Sequence, residues 1–173
     1  MRKLIAFITI GLAGLSIASA SATSAESDQG SGGFDAHLLP RNEVPPVTGT
    51  MTGRAVFDVV DGGQAVHYTL TLNDTSQVFV AHIHLAPAGV NGPVVVFLFG
   101  PLPKPGLTQE TVRVEGYFTS ANLVGPLAGK TLDDLLSAMK SGQAYVNAHT
   151  VAHPGGAARG QIEVVVNDEG PDS

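Results

Sequence analysis

The sequence predicts an all-β fold, an antiparallel β-sandwich of about eight strands with one short helix. Three observations carry this expectation. The apolar runs are short, and many alternate with polar residues at the period of a half-buried strand. The 21 Gly and 11 Pro of the 173 residues fall largely between those runs, as turn residues do between closely spaced strands. Only 131–140 (TLDDLLSAMK) carries a helical stripe.

The elements follow in order. Residues 34–39 form a first strand closed by Pro40, and the Pro45-Pro46 pair keeps 41–47 out of helix. Residues 52–60 alternate, with Ala55, Phe57 and Val59 on one side, and Asp61-Gly62-Gly63 turns the chain into a return strand over 65–72. A strand over 77–85 leads into a Pro/Gly/Asn loop, and 94–99 is continuously apolar, as a well-buried strand would be. A further strand covers 108–118, and a turn of helix follows at 120–123. In the helix, Thr131 is the N-cap, Asp133 and Asp134 suit the N-terminal dipole, and Leu132, Leu135, Leu136 and Met139 make the stripe. Strands over 144–151 and 157–166 end the domain. Gly92 and Gly106 read as turn positions with positive φ.

The start of the chain reads as an address. Arg2 and Lys3 precede an apolar stretch over 4–17, and Ala18-Ser19-Ala20 and Ala20-Ser21-Ala22 are small-residue cleavage patterns. Residues 1–25 therefore match a cleaved secretory signal peptide. The stretch falls short of the ~20 strongly apolar residues of a membrane span. Residues 26–33 (ESDQGSGG) form a flexible linker, 34–167 the domain, and 168–173 an acidic tail. The expected location is secreted or periplasmic, without stable membrane insertion.

Composition narrows the chemistry. The net charge is −6, and loss of Arg2 and Lys3 makes it more negative. Nucleic acid and anionic membrane surfaces are disfavoured as partners. The absence of Cys removes disulfides, thiolate nucleophiles, iron–sulfur clusters and Cys-ligated zinc. No nucleophile elbow, P-loop or paired-carboxylate motif is present.

Several short strings occur in a fixed order: Asn42-Glu43-Val44-Pro45-Pro46-Val47, then Ala81-His82-Ile83-His84, Ala86-Pro87-Ala88-Gly89 and Asn91-Gly92-Pro93-Val94-Val95. Ala144-Tyr145-Val146-Asn147-Ala148-His149-Thr150, Pro154-Gly155 and Arg159-Gly160-Gln161-Ile162 complete the set. This order resembles the CHRD domain, the module repeated in chordin and found singly in many bacterial exported proteins. It departs at Leu85, where the family commonly has Gly, and at Ala157-Ala158, where a Gly-Glu-(Ile/Val) triplet usually precedes the Arg. The resemblance covers about 34–166. It implies an immunoglobulin-like or superoxide-dismutase-like sandwich and no established activity.

Six His carry the remaining chemical interest. His82 and His84 are two apart in a strand, so both point to one face, with Phe79, Ala81 and Ile83 on the other. In the strand over 144–151, Tyr145, Asn147 and His149 share a face opposite Ala144, Val146 and Ala148. If those polar faces adjoin, His82, His84 and His149 form a three-imidazole metal site. His153, just past a turn, is a candidate fourth ligand, and His67 a candidate from a neighbouring strand. Imidazole suits Cu(II) and Zn(II), with copper the tighter, so copper is the expected metal and zinc the alternative. Binding is expected to weaken as pH falls through about 6.5. For His37 and His67 an ordinary surface position is the favoured reading.

Among the other polar residues, Glu43 reads as a structural residue bonding loop backbone. Asn147 either orients an imidazole or bonds a neighbouring strand. Arg159 reads as a guanidinium clamping loop carbonyls, and Asn73-Asp74-Thr75 fits a glycosylation sequon. Three functions compete: an exported, non-catalytic metal-binding module; an extracellular protein-interaction or matrix module without metal; and a redox enzyme. Superoxide dismutases also place His-x-His on a sandwich strand, but fold analogy does not carry activity. Here there is no Cys pair, and an apolar loop (LAPAGVNGPVV) follows His84.

Overall fold

The computed structural model describes residues 33–165. The signal-peptide and acidic-tail expectations, and nearly all of the linker, lie outside them. The elements are β1 (Phe34–Leu38), β2 (Thr52–Val60), β3 (Ala65–Leu85), β4 (Val94–Phe99), β5 (Leu107–Thr119), α1 (Leu132–Lys140), β6 (Ala144–Thr150), β7 (Ala158–Gln161) and β8 (Glu163–Val164). Short 3-10 turns join several of them. Every strand pairing is antiparallel.

β3 organises the molecule. Its first half pairs with β2 and β5, and its second half with β4 and β6. One 21-residue strand therefore runs through two walls, β8-β1-β2-β3-β5 and β4-β3-β6-β7. An isolated bridge between Leu39 and Arg159 brings the end of β1 to β7 and nearly closes the sandwich into a barrel.

The sequence reading cut this strand in two around Asn73-Asp74-Thr75-Ser76. The chain instead absorbs the polar segment as an irregularity. Asp74 and Gln77 take left-handed conformations, and the register with β5 shifts between Thr75 and Val78. The buried Thr75 hydroxyl satisfies the Gln109 backbone, donating to its carbonyl at 2.8 Å and accepting from its N–H at 3.0 Å. Conversely, the expected last strand divides into β7 and β8 around the buried Ile162.

The core lies between the walls. Phe34, Phe57, Leu70, Leu72, Ile83, Phe118, Val146 and Ile162 are almost wholly buried. α1 adds Leu132, Leu135, Leu136 and Met139. Its start is a capping box: the Thr131 hydroxyl oxygen accepts from the Asp134 N–H, and the Asp134 carboxylate accepts from the Thr131 N–H at 2.8 Å. Among the described residues no helix is long and apolar enough to cross a membrane.

Candidate metal centre

Strand parity builds the site. Ala81 and Ile83 of β3, and Ala144, Val146 and Ala148 of β6, point into the core. The alternate residues therefore share the opposite face, where His82 lies across from Asn147, His84 from Tyr145, and Val80 from His149. His82 and His149 become diagonal neighbours, with His82 Nδ1 and His149 Nε2 3.2 Å apart. The three ring centroids are 5.0–5.9 Å from one another. One nitrogen from each ring lies within 4.8 Å of the other two, so the buried cluster could hold a metal.

Two backbone carbonyls fix which nitrogens carry lone pairs. A carbonyl only accepts, so His84 Nδ1–H donates to Gly92 O at 2.9 Å and His149 Nδ1–H donates to Pro154 O at 3.0 Å. In each neutral ring Nε2 is left as an acceptor. His149 Nε2 then accepts from His82 Nδ1–H. His84 Nε2 is buried and has no hydrogen-bond partner among the described residues. A buried lone pair without a donor is costly, and a cation is a complement that this Nε2 admits.

The loop after β3 supplies the Gly92 carbonyl. The Arg159 guanidinium, almost wholly buried, donates to Pro87 O, Val90 O and Asn91 Oδ1 at 3.1, 2.9 and 3.2 Å. The Asn91 amide donates in turn to Val44 O. Arg159 also lies 3.5 Å from the centre of the Tyr145 ring. That ring stacks on His84 at 4.8 Å with planes 11° apart, and its hydroxyl accepts from the Gly92 N–H. The expected role of Arg159 as a loop clamp is what the structure shows. Gly92 needs no positive φ, contrary to the sequence reading; a side chain there would run into the Leu85 carbonyl. Gly106 does adopt a positive φ.

Burial keeps the site uncharged. Desolvation, then the His149 and His84 charges, pull His82 down to about 4. Burial likewise lowers His84 and His149 despite their carbonyl hydrogen bonds. Proton competition therefore sets in below the pH of 6.5 expected from the sequence, and at His82 well below it.

His153 and His67 stand outside the three-imidazole set. The His153 backbone shapes the turn that presents Pro154 O, its N–H donating to Thr150 Oγ1 and its carbonyl accepting from Gly156. His67 lies 3.0 Å from Glu115 and 3.8 Å from Asp58, against Tyr117. His37 is exposed beside Asp35. Glu43 bonds a side chain rather than loop backbone, accepting from the Asn147 amide at 3.3 Å. Asn147 thus meets neither expectation. Sequence reasoning missed Tyr145 and the two carbonyls. The Asn-Gly-Pro and His-Pro-Gly-Gly turns were the only signals for the carbonyls.

The family model for the CHRD domain matches residues 34–162. The chain belongs to the CHRD-domain family. CHRD domains occur in extracellular proteins, and the match supports reading this one as a binding module. No curated protein and no solved structure matches the chain at a significant level. Within this CHRD domain two of the family strings reach the imidazoles, the Ala86–Val95 loop through the Gly92 carbonyl and the Pro154-Gly155 turn through the Pro154 carbonyl.

Glu43 gives the region a pH dependence of its own. Burial raises its carboxyl to about 7, against the opposing effects of the Asn147 hydrogen bond and the Arg159 charge. A folded pKa above the unfolded value of 4.5 contributes stability that is full below 4.5 and lost as pH rises through 7. Glu43→Gln removes that loss. Urea unfolding from pH 4.5 to 8 should show the variant gaining on the parent by about 1–3 kcal/mol as pH rises. Parallel stability curves would contradict the assignment.

Proposed function

We propose that this CHRD-domain protein is an exported, non-catalytic module that binds a transition metal through His82, His84 and His149. The observation that carries the reading is His84 Nε2, a buried lone pair facing two other imidazoles with no donor. Copper is the favoured metal, because imidazole donors suit it and it binds a given nitrogen set more tightly than zinc. The domain would store, buffer or deliver the metal outside the cytoplasm.

Calorimetry on untagged, exported protein tests the reading. Cu(II) should bind one site per chain more tightly than about 1 μM. His82→Ala/His84→Ala should abolish the site, and His37→Ala should leave it unchanged. Because burial already depresses all three imidazoles, affinity should fall less between pH 7 and 5.5 than it would for three imidazoles of ordinary pKa. A site weaker than micromolar, or a double variant that binds like the parent, overturns the metal reading and leaves the extracellular interaction module. Superoxide turnover by the loaded protein would instead favour the redox enzyme.

Export rests on the basic start, apolar stretch and small-residue sites of residues 1–25. N-terminal sequencing of the product should begin at Ser21, Thr23 or Glu26. A product that retains Arg2 would refute cleavage.

A further inference from the structure

β5 hydrogen-bonds to β3 along one edge, in a regular ladder from Thr75↔Gln109 to Ala65↔Thr119. Its other edge meets no strand among the described residues. A long free edge is a template for another strand, and monomeric proteins guard such edges with Pro, bulges or charged side chains, Lys above all; the charges of β5 are Glu110, Arg113 and Glu115, of both signs. The 13 residues of β5 (LTQETVRVEGYFT) contain no Pro and no Lys. Of the five exposed large hydrophobic residues among the described residues, Leu107 and Tyr117 lie on this strand, and Tyr117 is 68% exposed.

We propose that β5 is a homodimer interface, in which two copies pair their β5 strands antiparallel about a two-fold axis at Val114. Parity and charge select this register. Two-fold pairing that keeps each side chain on its own face must be centred on a residue rather than between residues. Centring on Arg113 or Glu115 sets that charge against its own copy, and like charges directly opposite are destabilising. Centring on Val112 sets Arg113 against Thr111. Centring on Val114 sets Arg113 opposite Glu115 of the second copy and Glu115 opposite Arg113 of the second copy. The same register places Thr111 across from the exposed Tyr117 and Val112 across from Gly116.

The charges are available for this exchange. Arg113 and Glu115 are 61% and 54% exposed; within the chain Glu115 holds His67 through Oε1 at 3.0 Å, and its Oε2 contact with Arg113 is a long 3.4 Å, the one that pairing would exchange. Pairing would extend the β3–β5 wall into one continuous sheet across the axis, leaving the imidazole cluster on the other half of β3 untouched.

Sedimentation equilibrium on the full exported chain, with excess chelator present, tests the interface independently of any metal. The parent should show a monomer–dimer equilibrium. Arg113→Glu and Glu115→Arg should each weaken the dimer by about tenfold or more, and the double exchange should recover it to within about threefold. Circular dichroism confirms that each variant folds. The proposal fails if the parent is monomeric throughout the concentration series. It fails equally if the single changes have no effect, or if the double exchange is as weak as the singles.

Discussion

A buried guanidinium that meets no carboxylate in ion-pair contact among the described residues needs its charge satisfied by other means. Arg159 meets that need with two backbone carbonyls, an amide oxygen and the face of Tyr145. The consequence is structural: the loop after β3 is drawn across the outer face of β3 and β6. That loop then has one place for Gly92, close against the Leu85 carbonyl. The Gly92 carbonyl accepts a hydrogen bond from Nδ1–H of His84 and so turns its Nε2 lone pair toward the cluster. Breaking the clamp would leave a buried charge unsatisfied and release the group that orients the imidazole.

The same economy appears in β3. One strand contributes Leu70, Leu72, Ala81 and Ile83 to the core and His82 and His84 to the opposite face. Core packing therefore sets the spacing of the imidazoles, because a shift of one residue would exchange the two faces. The cluster is buried polar surface on a rigid element. Its nitrogens are held neutral by desolvation, the state that metal ligation requires. Glu43 lies beside it through Asn147, with one carboxylate oxygen buried and unpartnered. A carboxyl near half-ionisation at neutral pH makes this corner sensitive to charge introduced nearby.

Much of this was legible in the residues. Alternation placed His82, His84 and His149 on shared faces, and the pattern of Thr131 and Leu132 to Met139 marked the helix. Arg159, near the end of the domain, read as a clamp. The unbroken course of β3 was not legible, because Asn73 to Ser76 has turn composition and only left-handed Asp74 and Gln77 let the strand continue. Nor were the carbonyl locks, since a backbone oxygen has no letter of its own. The pairing of Glu43 with Asn147 spans 104 residues and depends on how a loop packs on a sheet. Gly92 was correctly singled out but for the wrong reason: close approach, and not φ, demands glycine there.

The account turns on the two carbonyl locks, and the protonation of the ring nitrogens reads them directly. Long-range proton–nitrogen NMR on metal-free protein at pH 7 should find His84 and His149 neutral, protonated at Nδ1 and bare at Nε2. Nε2–H tautomers, or imidazolium rings at that pH, would contradict it, because the lone pairs would then point away from the cluster or be absent.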